Sequence, residues 1–179
     1  WGKYISFDEF CETILPYRIG NEPLENWREI YYNRYQPLLD SLLTDNDPVK
    51  ACQIIFDHIK QKTWVFNYKH QLPNLGASAL LDNRYGTCED RCDLSIYIMR
   101  ALGLSGGVDF IIQQPNKMNK GHSWNYVTDT TGKQVQFELY DIRPNSEPDP
   151  GTEIKRGIIY RKCFSVQKNS LPVVLRSKP

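Results

Sequence analysis

Cys88 stands in a segment whose residue types suit a thiol nucleophile: Tyr85-Gly86-Thr87-Cys88-Glu89-Asp90-Arg91-Cys92-Asp93-Leu94. Three acids crowd its start, an apolar run follows through Leu94, Ile96, Tyr97, Ile98, Ala101 and Leu102, and Arg100 and Gly103 close it. Acids in the first turn, a cation near the last and a glycine beyond it predict a helix that begins at or just before Cys88. A helix start offers unpaired backbone amides, which favour a thiolate over a thiol and can hold an oxyanion. Cys92, one turn on, shares a face with Ile96 and is expected to enter the core as a small apolar residue.

A thiolate needs a proton acceptor, and there are three histidines. His58 falls in a polar-flanked helix and His70 in a loop, and both are expected to be solvated or structural. His122 follows Lys120-Gly121 and opens the strand-like run His122-Ser123-Trp124-Asn125-Tyr126-Val127, where a loop-to-strand junction exposes a ring at a sheet edge. Asp129-Thr130-Thr131-Gly132 reads as a turn, so Lys133 to Leu139 folds back antiparallel. A three-residue loop ending at Gly132 sets His122 against Tyr140 with Glu138 diagonal to it, and a five-residue loop sets Glu138 opposite. Asp141 shares that face only for an even loop, so Glu138 is the first candidate for the acid and Asp141 the second. The plain alternative for Glu138 is a solvated strand-end charge. Zinc on Cys88, Cys92 and His122 would require those side chains to converge, and no second cysteine or histidine pair at ligand spacing supports it. No metal and no cofactor are expected.

The remaining elements must hold these residues. Ser6 precedes Phe7, Phe10, Ile14 and Leu15 at helical spacing, with Pro16 as the stop. Leu24 to Leu43 repeats Trp27, Ile30, Tyr31, Tyr35, Leu38 and Leu42, and Pro37 is expected to kink or divide it. Asp47-Pro48 opens a third helix carrying Ala51, Ile54, Ile55 and Ile59. Val108 to Gln113, His122 to Thr128, Lys133 to Leu139 and Ile158 to Val166 read as strands, and Arg143 to Thr152 as a loop. Helices first and an antiparallel sheet second predict an α+β domain over 1–179, divided into a helical part (1–63), the Cys-His-acid core (64–142) and a loop with a C-terminal strand (143–179). A chain opening at Trp1 is expected to be a fragment of something longer.

With 179 residues, 40% of them hydrophobic, the chain is long enough for a core without staples. Its 22 basic and 21 acidic residues balance to a net charge of +1, which excludes a charge-steered nucleic-acid or anionic-membrane binder. No run suits a membrane span, and five irregularly spaced cysteines do not form a disulfide framework.

Taken in order, Gly86-Thr87-Cys88-Glu89-Asp90, the apolar helix, Arg100-Ala101-Leu102-Gly103-Leu104, Gly121-His122-Ser123-Trp124, the Gly132-Lys133 turn and a strand ending in an acid resemble the transglutaminase-like core of the papain-like superfamily. The likeness spans about Tyr85 to Asp141. It implies a Cys88-His122-acid site on a helix packed against an antiparallel sheet, with Glu138 where the family carries aspartate and Gln134 to Phe137 where it carries tryptophan. The helical first third resembles extensions on bacterial, often exported, members, so an extracytoplasmic setting is expected. The implied activity is acyl transfer or hydrolysis on a peptide or protein substrate, with Tyr85, Trp124 and Trp64 as candidate substrate contacts. A protein-cross-linking transglutaminase is one alternative. A silent module presenting Trp64, Tyr68, Trp124 and Tyr140 to a peptide or glycan is the other. Phe66 to Leu75 and Gln113 to Lys120 are expected to wall the pocket, with 116–120 as a lid.

Overall fold

The computed structural model describes residues 2–69, 73–113, 121–147, 158–165, 167 and 170–176. The helical first part comprises α1 (Phe7–Thr13), α2 (Arg28–Leu42) and α3 (Pro48–Ile59). Two sequence caps act as expected. The Ser6 hydroxyl accepts from the Glu9 amide at 3.1 Å, and the Asp47 carboxylate accepts from Val49 and Lys50.

Helix α2 departs from expectation. It begins at Arg28, four residues after Leu24, because Glu25 is turned away to accept from the Ser78 amide at 2.8 Å. It also runs unbroken through Pro37. The ring removes the donor that would serve the Asn33 carbonyl, yet both residues are exposed, so water can meet that carbonyl. The stripe Trp27, Tyr31, Tyr35 and Leu39 is buried, whereas Ile30 and Leu42 face out. Phe7 of α1 is likewise 77% exposed.

Strand β1 (Val65–Phe66) pairs in parallel with β2 (Tyr85–Gly86), and α4 (Ala77–Asp82) lies between them in sequence. Helix α5 (Cys88–Leu102) ends as predicted: Gly103 is left-handed at φ 73, its amide bonds Arg100 and the Leu104 amide bonds the Met99 carbonyl at 2.8 Å. The main sheet has the order β5-β4-β3-β6, built from β3 (Gly106–Ile111), β4 (His122–Thr128), β5 (Gln134–Phe137) and β6 (Tyr160–Arg161), antiparallel throughout. Strand β6 is shorter than the expected Ile158 to Val166, of which Val166 lies outside the described residues. A last helix, α6 (Leu171–Arg176), follows. One cluster of buried apolar residues joins α2, α3, α4, α5 and the sheet, from Ile19 to Leu139. No helix among the described residues is long and apolar enough to cross a membrane.

Candidate functional site

The start of α5 is built by three residues. Gly86 has φ 144, and a Cβ there would come within 2.7 Å of the Asp90 side chain, so glycine is required by both conformation and approach. Thr87 is the N-cap: its hydroxyl accepts from the Asp90 amide, and the Asp90 carboxylate accepts from the Thr87 amide at 2.7 Å and hydroxyl at 2.8 Å. The other Asp90 oxygen accepts from Leu75. This reciprocal cap fixes the first turn. Cys88 is therefore the first helical residue, half-buried, and the helix supplies no partner for the amides of Cys88 and Glu89.

Helix α5 runs along the sheet in the direction of β4. The Asn125 side-chain amide bonds the Cys92 carbonyl at 3.2 Å, and Met99 reaches Gly106, which pairs with Val127. The helix start and the strand start thus lie at the same end of the sheet, with Cys88 one turn beyond Cys92 in the direction of His122.

His122 is partly buried, and its Nε2 lies 3.0 Å from Oε2 of Glu138. The register explains this pair. Asn125 opposes Phe137 and Thr128 opposes Gln134, with the Asp129 amide bonding the Lys133 carbonyl at 2.9 Å. The loop is the three-residue one ending at Gly132, at φ 86, and Glu138 sits diagonal to His122. Immediately after, the chain reverses through Tyr140 at φ 79, with the Asp141 and Ile142 amides both bonding the Glu138 carbonyl. That turn swings Asp141 away from His122. Its carboxylate accepts from Nη1 of Arg91 at 2.7 Å, while Nη2 of Arg91 donates to Oε1 of Glu138. Arg91 is 2% exposed and lies with its Cζ 5.0 Å from the ring centre of Phe66.

The other candidates scatter. Trp124 is partly buried beside His122, ring centres 6.0 Å apart, and its Nε1 donates to Gln136 at 2.8 Å. Tyr85 is exposed on β2, and Tyr68 stacks on Phe66 at the surface. Trp64 is a correction: at 8% exposure it belongs to the apolar core, packed on Tyr140, and has no face to offer a ligand. Cys92 enters the core as expected, and burial pushes its thiol well above the usual range; burial pushes Cys52 up to about 12. With Cys92 turned inward, the zinc alternative loses a ligand, and among the described residues no group of three His, Cys, Asp or Glu side chains could hold a metal ion. His58 is exposed, edge-on to Tyr35. His70, most of the expected wall after Gln113 and the expected lid at 116–120 lie outside the described residues.

Sequence reasoning missed Arg91 and the cap. The cap was legible, since Thr87 precedes Asp90 by three residues. Arg91 carried no signal, because an arginine in a helix is ordinarily solvated.

No family model and no curated protein matches the sequence. Solved structures do. A provisionally assigned cysteine protease from Cytophaga hutchinsonii matches with a TM-score of 0.55 at 13% identity, covering 93% of this chain and 62% of its own. The periplasmic domain of TgpA from Pseudomonas aeruginosa matches with a TM-score of 0.49 at 14% identity in its ethylmercury-bound form, covering 65% of this chain and 45% of its own. A second structure of that domain gives 0.48 at 16%, covering 70% and 44%. The chain spans less than two thirds of the length of each. It shares the α+β fold of the Cytophaga structure, the architecture that the transglutaminase-like pattern predicts.

Proposed function

We propose that this chain carries out thiol-dependent acyl transfer or hydrolysis on a peptide or amide substrate, with Cys88 as nucleophile, His122 as its base and Glu138 as the acid that orients the imidazole. The observation that carries the reading is the 3.0 Å contact between Nε2 of His122 and Oε2 of Glu138, at the end of the sheet where α5 begins with Cys88. With Nε2–H donated to the carboxylate, Nδ1 is the basic nitrogen, a tautomer assigned from that contact. Nδ1 takes the Cys88 proton and the sulfur attacks the carbonyl carbon. The amides at the head of α5 receive the oxyanion. Collapse expels the amine, which leaves with the proton from the imidazolium. Water then attacks the acyl-enzyme, giving up a proton to His122, and releases the acid and the free thiol. A lysine amine in place of water would make the same site a transglutaminase. Hydrolysis is favoured because the sequence offers no Asp-x-Asp-x-Asp calcium loop. An extracytoplasmic setting, expected from the sequence resemblance, belongs to the same proposal and is checked by cell fractionation.

Iodoacetamide labelling across pH, mapped by mass spectrometry, tests the reading. Cys88 should label fastest and well below the ordinary thiol value of about 8.5, and His122→Ala should abolish that advantage. Labelling of Cys88 no faster than the exposed Cys163 would leave a binding module.

A further inference from the structure

We propose that Arg91 is a positioning residue of this site, clamping the Glu138 carboxylate so that one oxygen, Oε2, is presented to His122. The inference rests on the cysteine-nucleophile reading above. The two carboxylate oxygens are divided: Oε1 receives Nη2 of Arg91 and Oε2 receives the His122 ring. Glu138 is itself buried, and a buried carboxylate is tolerated when a paired charge and hydrogen bonds surround it.

Arg91 is itself anchored through its other fork nitrogen and one face, while its buried Nε has no partner among the described residues. Its second fork nitrogen is fixed by Asp141 at 2.7 Å, and the Phe66 ring of β1 covers its guanidinium. Among the described residues, the charged groups paired with Glu138 are Arg91 from α5 and His122 from β4, with Asp141 from its own turn on the far side of Arg91. Glutamate has one more rotatable bond than aspartate, so a glutamate orienting a base has more freedom to lose. A planar fork that takes one oxygen and leaves the other removes that freedom in a way a lysine cannot. Arg91 also lies three residues after Cys88, so one rigid helix turn carries both the nucleophile and the clamp on its acid.

The experiment follows Cys88 alkylation against pH in the native chain, Arg91→Met, Arg91→Lys, Glu138→Gln and the double variant Arg91→Met/Glu138→Gln, with far-UV circular dichroism as the check on folding. Arg91→Met should lower the rate near pH 6 about tenfold and move the acidic limb up by about one pH unit toward an ordinary thiol. The double variant should match Glu138→Gln alone, because Arg91 acts through that carboxylate. Should Arg91→Met not fold, Arg91→Lys decides, with a smaller shift in the same direction. A native rate and native limb in the folded Arg91→Met, or in Arg91→Lys where that one is used, overturns the inference while the cysteine reading stands. An ordinary limb in the native chain instead overturns the cysteine reading, and the inference with it.

Discussion

Replacing Asp93 by asparagine should stabilise the folded chain at neutral pH and do so much less in mild acid. Asp93 is 1% exposed on α5, its Oδ2 accepts from the Asn74 side chain at 3.3 Å, and its Oδ1 has no partner among the described residues. Burial pushes its carboxyl up to about 7 from 3.8, with Lys162 and the Asn74 hydrogen bond opposing the rise and Glu89 and Glu22 adding to it. A rise of that size corresponds to about 4 kcal/mol, the free energy by which ionisation is harder in the folded state. The sign follows from proton uptake. Below the unfolded value both states are neutral and nothing is lost. Between about 4 and 7 the unfolded chain ionises while the folded one holds its proton, so stability falls as pH rises, and the full cost is present above 7. Asparagine keeps the acceptor for Asn74 and never ionises. Allowing for relaxation and for Lys162, about half the full value should be recovered, about 2 kcal/mol, or about 4–8 °C in Tm for a chain of this size. Urea unfolding followed by circular dichroism, at about pH 8 and about pH 4.5, measures it. A variant that is less stable than native at the higher pH, or equally shifted at both, would refute the reasoning and mean that Oδ1 is satisfied.

Three further outcomes bear on the site's frame. Gly86→Ala should cost about 2 kcal/mol or more, since it combines a positive φ with a 2.7 Å approach to Asp90; a urea midpoint within error of native would count against both. Thr87→Ala should cost about 1 kcal/mol through loss of the cap on α5, read from the same unfolding curves. In a timed thiol titration, Cys52 and Cys92 should stay unlabelled until denaturant is added, because both are enclosed in the core, whereas the exposed Cys163 should label in the folded chain, although its thiol is also raised.

Local rules carried much of the architecture. Ser6, Asp47 and Gly103 bound their helices because capping depends on residues within one turn. The Gly132 turn narrowed the register to a three-residue or a five-residue loop, because a hairpin loop's length determines which residues oppose each other, and the folded chain takes the three-residue one, with Glu138 diagonal to His122. The same logic put Cys92 inside and Cys88 at the helix head. What pattern alone did not reveal depends on distant partners. Pro37 sits within an unbroken helix because packing of Tyr31, Tyr35 and Leu39 outweighs one lost hydrogen bond at an exposed carbonyl. Trp64 went to the core because Tyr140 meets it from the turn after β5. Asp141 went to Arg91 because a left-handed residue at Tyr140 reverses the chain where strand alternation would have continued. Arg91 could be read in the sequence only as one more helical cation. Its burial between two carboxylates and a phenylalanine ring joins residues 66, 91, 138 and 141, and segments so far apart in the chain meet only through tertiary packing.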